Sequence, residues 1–268
     1  MDTILLNAKA REIRRKIVYM ISHAQGGHIG ASLSEADILT ALFFHILRFS
    51  PENRTDPGRD RFVLSKGHAS EGLYTVLAER GFFPAEWLET YLTPGCPLTT
   101  HPTNHVPGIE VCTGALGHGL SVACGMALGA KKQGRPFRVF ALTGDGETQE
   151  GSVWEAAMAA AHFKLGNLVW IIDNNGLQLT SVIAETMGIE PLRDKLEAFG
   201  FDTHSVDGTG AAAIAGLLES LDYSGGKPHA VIAKTVKGRG VSFMENVPEW
   251  HHRIPTEEEC ERALKELE

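Results

Sequence analysis

LTGDGETQEG at residues 142–151 and WIIDNNGLQ at residues 170–178 decide the fold of this 268-residue chain. Asp145 in the first and Asn175 in the second stand thirty positions apart. A hard divalent cation such as Mg²⁺ takes octahedral oxygen ligands, and it binds proteins through one or two side chains while a phosphate-bearing ligand fills other positions. Asp145 and Asn175 offer such oxygens. Gly144 and Gly146 leave backbone open to a phosphate, and Gly176 lets the second loop turn sharply enough to present the Leu177 carbonyl. The chemistry suggested is a metal-bridged diphosphate.

The flanking residues place both loops. FRVFAL (137–142) and LVWIID (168–173) are short apolar runs rich in strand formers, and both read as buried parallel strands. Between them, residues 149–164 set Val153, Trp154, Ala157, Ala160, Ala161 and Phe163 near helical spacing, with Gly166 as the expected stop. A βαβ unit follows, so GDG and NNG emerge at the carboxyl ends of nearby strands, where open α/β sheets bind ligands. Taken singly, GDG reads as a turn and NNG as a type I′ turn. Their spacing and their common place after strands favour the ligand.

Outward from this unit the chain alternates helical and strand-like segments with no repeat or clear linker. An amphipathic helix is expected from about Leu5 to Ser22, a second from about Ser34, and a strand at RFVLS. Helices over 70–79 and from Pro84 lead into a loop from Thr93 to Cys112, longer than a usual connection. THSVD, a helix over 211–221 and PHAVIAKTV continue the α/β alternation, and residues 255–268 read as a surface helix. One domain over 1–268 is expected: an α/β fold with a parallel sheet flanked by helices. The 43% hydrophobic content suffices for its core. A net charge of −8 argues against nucleic acid or an anionic membrane as a partner held by bulk charge. No apolar run reaches the length of a membrane span and the amino terminus lacks a signal core, so a cytoplasmic location is expected. Cys96, Cys112, Cys124 and Cys260 show no metal-ligand spacing, and all four read as free thiols.

GDG followed by NN resembles the thiamine diphosphate signature. GGHIGASLSEADIL (26–39), RFVLSKGHASEGLY (61–74) and TGALGHGLSVACGMALG (113–129) resemble, in the same order, the cofactor-diphosphate domain of transketolases. The resemblance covers nearly the whole chain and is nearest to the amino-terminal subunit of transketolases divided into two chains. It implies the diphosphate-domain fold, thiamine diphosphate, and Mg²⁺ (with Ca²⁺ or Mn²⁺ as substitutes) on Asp145, Asn175 and the Leu177 carbonyl. Gly144 and Gly146 are implied beside the cofactor. Asp173 is expected to be structural.

The same resemblance assigns four histidines. His68 and His251 are implied on the diphosphate, and His28, His101 and again His251 near the donor substrate. Imidazole suits such work because it donates to phosphates and moves protons near neutrality. His251 stands beside His252, where relatives often carry glycine, which leaves the register open, and His105 competes with His101. Gly114, Leu116 and Gly117 match a G-x-L-G-x-G turn beside the cofactor, with Leu116 against the aminopyrimidine. His118 replaces the glutamine common there. Gly125 and Gly129 read as allowing close helix packing. Glu150 is either a first-turn glutamate stabilised by the helix dipole or a member of a carboxylate network between active sites.

The activity implied is transfer of a two-carbon ketol unit from a ketose phosphate to an aldose acceptor, the thiazolium acting as electron sink. The activating glutamate and the recognition of the sugar phosphate belong, in this family, to a pyrimidine-binding domain for which the chain has no residues left. A partner subunit in an α2β2 assembly is therefore expected, with no activity from the isolated chain. Three other readings stay open: an E1 α subunit of a 2-oxoacid dehydrogenase, a deoxyxylulose-phosphate synthase, and a non-catalytic cofactor-binding paralogue.

Overall fold

The computed structural model describes residues 3–179 and 181–268. Helix α1 (Thr3–Ala24) buries Leu6, Ala10, Ile13, Ile17 and Met20, a stripe recurring every three or four residues. Two short helices, α2 (Ile29–Ser34) and α3 (Ala36–Ala41), follow, and a π-helical turn Leu42–Ile46 extends the second. Helix therefore begins five residues earlier than the apolar pattern from Ser34 suggested. GGHIG compresses into the turn between α1 and α2, which places His28 at the residue before α2.

Strand β1 (Arg61–Leu64) leads through the 3₁₀ turn Gly67–Ala69 into α4 (Ser70–Glu79). A second 3₁₀ segment, Ala85–Thr90, stands where a helix from Pro84 was expected, and residues 91–117 run without helix or strand. Then come α5 (His118–Lys132), β2 (Val139–Gly144), α6 (Gly151–His162) and β3 (Leu168–Asn174). A small antiparallel pair, β4 (Leu177–Gln178) and β5 (Ser181–Val182), precedes α7 (Ile183–Thr186) and α8 (Leu192–Ala198). The chain closes with β6 (Asp202–Asp207), α9 (Ala211–Ser220), β7 (His229–Lys234) and α10 (Glu257–Glu266). Thr256 and Glu259 cap this last helix reciprocally, and Ala263 is its buried residue.

The main sheet is parallel throughout, in the order β1-β2-β3-β7-β6. Side chains alternate across it, and each face buries its own cluster. Phe140 and Leu142 of β2, Val169 and Ile171 of β3 and Val231 of β7 join α1, α3, α4 and α9. Val139, Ala141, Leu168, Trp170 and Ile172 join α5, α6 and α8 on the other face. Fully burying such a side chain contributes about 1.5–3 kcal/mol, so these two layers fix where the strands end. No described helix is long and apolar enough to cross a membrane.

Asp60, fully buried just before β1, ties the amino-terminal edge of the sheet together. Its carboxylate accepts hydrogen bonds from Arg48 and from the backbone amide and guanidinium of Arg138. Burial alone would raise its pKa; the bonds from Arg48 and Arg138 outweigh it and hold the group at about 2.

Two glycine readings change. Helix α6 stops through Lys164, whose φ is +52°, and not through Gly166. Gly166 is needed for proximity instead, since a Cβ there would lie 1.9 Å from the Gly225 carbonyl oxygen. Gly125 and Gly129 do not serve close packing within the chain, because a Cβ on either meets nothing within 4 Å.

Candidate active site

The parallel register sets Gly144 of β2 beside Asp173 of β3, so GDG and NNG leave adjacent strands at the same end of the sheet. There the Asp145 carboxylate accepts from the Gly176 amide at 2.6 Å and from the Gly146 amide at 2.9 Å. Gly176 has a φ of +78°, which turns the chain back so that its amide faces Asp145. Asn175 Oδ1 accepts from the Leu177 amide at 3.0 Å. These loops wall one side of a cavity of about 380 Å³.

All four histidines assigned from the sequence reach this cavity from separate segments. The His28 ring centroid lies 5.1 Å from that of His68, 6.2 Å from His101 and 5.4 Å from His251. His101 reaches in from the long loop, across Gly114; a Cβ on Gly114 would come within 2.9 Å of that imidazole. His101 lines the cavity, whereas His105 does not. His251 is buried and His252 exposed, yet both line the cavity, and His252 sits 4.0 Å from His28 ring to ring. Gly114, Leu116, Gly144, Gly146, Glu150, Asn175 and Leu177 line it as well. His118 turns away: its Nδ1 lies 3.1 Å from the Leu116 carbonyl, outside the cavity.

Glu150 occupies the position before α6, without a side-chain hydrogen bond to the helix end. Gly117, with φ of +84°, brings the α5 turn against it, since a Cβ there would lie 2.6 Å from Glu150 Cβ.

Sequence reasoning missed the charged groups beneath the histidines. Lys66 is buried and pairs with Asp173 and, at 3.0 Å, with Glu35. Its pKa is raised: burial opposes this, but the charges of Asp173 and Glu35 outweigh it. Burial lifts Glu35 to about 8 against the pull of Lys66, whereas Asp173, also buried, is held below the usual carboxylate value by Lys66, Ser34 and Thr235. Glu147, buried, accepts from Ser65 at 2.5 Å, the Gly117 amide at 2.8 Å and the Gly144 amide at 3.1 Å. It pins three motif loops to one carboxylate. Lys237 contacts His251 Nδ1 at 3.1 Å, and burial followed by Lys66 lowers it to about 8. The signals were present as the Lys in SKGHAS, the Glu in GDGETQE and the second Lys in KTVKGRG, but a lysine or glutamate near a glycine turn is common on surfaces.

The electrostatics favour an anionic ligand and a cation. Burial, then the neighbouring His252 and His251, bring His28 down to about 3; burial, then Lys237, bring His251 to about 4. His28 Nδ1 is buried with no hydrogen-bond partner among the described residues. Basic groups crowded without a counter-charge suit a phosphate. Asp145 is shifted the other way, raised to about 7 by burial and by Asp173, which outweigh the amides of Gly176 and Gly146 and the charge of Lys66. The residues present thus fit a diphosphate bridged by a divalent ion.

The family described as transketolase, thiamine diphosphate binding domain, matches residues 6–267. This chain belongs to that family. An apulose-4-phosphate transketolase subunit of Actinobacillus succinogenes is 48% identical over 264 residues, covering 98% of this chain and 95% of that protein. The 6-deoxy-6-sulfo-D-fructose transketolase subunit SqwG of a Clostridium species is 39% identical, covering 98% and 96%. The crystal structure of transketolase from Campylobacter jejuni superposes with a TM-score of 0.93 at 33% identity, over all of this chain and 43% of the other. The chain thus spans less than half of that solved transketolase but nearly the full length of the two transketolase subunits. The resemblance read from the motifs is borne out as transketolase, in place of the E1 α and synthase readings.

Proposed function

We propose that this chain is the diphosphate-binding subunit of a two-chain transketolase, acting over residues 1–268 as one domain in the cytoplasm. It moves a two-carbon ketol unit from a ketose phosphate to an aldose acceptor, together with a pyrimidine-domain partner in an α2β2 assembly. The carrying observation is the Asp145–Gly176 hydrogen bond at 2.6 Å, which brings both signature loops to one cavity ringed by His28, His68, His101 and His251. Thiamine diphosphate, when bound, supplies the thiazolium that serves as electron sink for the two-carbon unit.

The chain's own residues bind, orient and move protons. Asp145, Asn175 and the Leu177 carbonyl would hold Mg²⁺, for which Ca²⁺ or Mn²⁺ substitutes because all three ligands are oxygens. His68 and His251 would hold the diphosphate. Lys237 beside Nδ1 of His251 leaves the imidazole proton on Nε2. Gly144 and Gly146 admit the phosphates, Gly114 the close approach of the cofactor, and Leu116, partly exposed on the cavity wall, presents an apolar face to a flat ring. His28, His101 and His251, each with its pKa lowered by burial, would hydrogen-bond the donor sugar, His251 as a donor through Nε2 because Lys237 occupies its Nδ1. Glu150 at the rim would meet the partner side of the site.

The test titrates thiamine diphosphate into the purified complex with Mg²⁺ or with EDTA, then assays ketol transfer. Donors include apulose 4-phosphate and 6-deoxy-6-sulfo-D-fructose, the sugars named for the relatives. Mg²⁺-dependent binding and transfer that requires both chains are expected. Turnover by the isolated chain would defeat the two-chain reading, and binding indifferent to Mg²⁺ would defeat the metal assignment.

A further inference from the structure

A second group of metal-ligating side chains lies at the other end of the sheet. Asp202 opens β6 and His229 opens β7, and the register pairs them directly across the two strands. His204, two residues along β6, returns to the same face as Asp202. The active-site loops follow the carboxyl ends of β2 and β3, whereas this trio stands at the amino ends of β6 and β7.

We propose that Asp202, His204 and His229 form a divalent transition-metal site, with Zn²⁺ as the ion class it fits. One Asp202 oxygen, Oδ2, lies 3.0 Å from His204 Nε2 and 3.4 Å from His229 Nδ1, and the three ligand atoms all fall within 4.8 Å of one another. Ligands at Zn–N and Zn–O distances near 2.0–2.1 Å in a tetrahedron stand about 3.3 Å apart. Two edges of the trio already have that length.

The hydrogen-bond state of the rings points the same way. His204 Nε2 and His229 Nδ1 are both buried and both lack a hydrogen-bond partner among the described residues; their approach to Asp202 is close without being aligned for a bond. His229 is 2% exposed, and its Nε2 lies 3.1 Å from the Asp222 carbonyl oxygen. A carbonyl only accepts, so Nε2 carries the proton and, in the neutral ring, Nδ1 presents its lone pair to Asp202. Donation of the far N–H to a backbone carbonyl is the arrangement that orients a metal-bound histidine. Two imidazoles and a carboxylate favour Zn²⁺ and its neighbours over Mg²⁺, which prefers oxygen. Asp202 is 47% exposed, leaving a path for the ion and for water in a fourth position. A cation here would fasten β6, the edge strand, to β7 and to the turn at Asp222.

The test measures Zn²⁺ affinity of the full chain by competition with a chromogenic chelator, in wild type, Asp202→Asn, His204→Ala and His252→Ala. The last variant controls for His28, His251 and His252, which also converge. Wild type and His252→Ala should each bind one tight equivalent, and Asp202→Asn and His204→Ala should bind it at least 100-fold more weakly. Circular dichroism verifies folding, and Co²⁺ gives a second readout, its visible bands being expected in wild type and absent in Asp202→Asn. Equal Zn²⁺ affinity in all four proteins would overturn the proposal, as would a loss confined to His252→Ala. Nitrogen NMR showing both His229 nitrogens protonated in the presence of Zn²⁺ would overturn it too, because that imidazolium is merely an ion pair with Asp202.

Discussion

Gly176 donates its amide to the carboxylate of Asp145 across 2.6 Å, and through this bond the loop after β2 touches the loop after β3. The two residues are thirty-one positions apart in sequence, and the contact exists because adjacent parallel strands end level with each other. It also orients the carboxylate: one oxygen is held by Gly146 and the other by Gly176.

Asp145→Asn removes the charge and one of the two acceptors, because its amide nitrogen cannot accept from Gly146 or Gly176. Wild-type affinity for thiamine diphosphate should fall roughly 100-fold on chelation of Mg²⁺, since even residues behind a metal's own ligands account for about 10–100-fold. The variant should bind weakly with or without Mg²⁺. Isothermal titration in both conditions checks it; a variant that still responds to Mg²⁺ would remove Asp145 from the ligand set.

Beneath the cavity, Lys66→Met leaves Asp173 as a buried carboxylate without its ammonium. Breaking a buried pair from one side costs about 3–5 kcal/mol. The urea midpoint should drop accordingly, with the slope unchanged. A shift below about 1 kcal/mol would mean that Ser34 and Thr235, which also donate to Asp173, suffice to hold it.

Asp60 supplies a pH signature. Its folded pKa of about 2 lies below the ordinary aspartate value near 3.9. A depressed carboxylate contributes stability that is fully present above the unfolded value and is lost as pH falls through the folded one. Wild type should therefore exceed Asp60→Asn by a margin that is constant from pH 5 to 7 and shrinks by roughly 2 kcal/mol between pH 4 and 2. Denaturation at stepped pH measures that margin, and a margin independent of pH would show that Asp60 is not ionised in the fold.

His251 and His252 present a choice that kinetics can make. His251 is buried against Lys237, and His252 is exposed at the rim near His28. His251→Ala should lose cofactor affinity and lower kcat, whereas His252→Ala should act mainly on KM for the donor sugar. The reverse pattern would shift the register by one.

The parallel strands, the βαβ unit and the two signature loops were legible because they rest on local patterns: apolar runs of strand length, helical spacing, and glycines at turns. His28, His68, His101 and His251 were legible through short motifs around each. Lys66, Glu147 and Lys237 were not, since their meaning depends on burial, and nothing within a few residues of SKGHAS says that its lysine lies under a sheet edge. The start of α2 was missed for a related reason. The apolar periodicity began at Ser34, but all six residues of α2, IGASLS, are buried, serines included, so no apolar stripe marks where it begins.

By itself the sequence determined which segments form strands and helices and which side chains carry oxygen and imidazole chemistry, because period and residue type are properties of neighbours along the chain. Only the tertiary structure decided that Asp145 meets Gly176, that Glu35, Lys66 and Asp173 are buried together, and that Asp202, His204 and His229 converge at the far end. Those facts depend on strand order, register and exclusion of water. All three arise when distant segments pack, and none is written in any one of them.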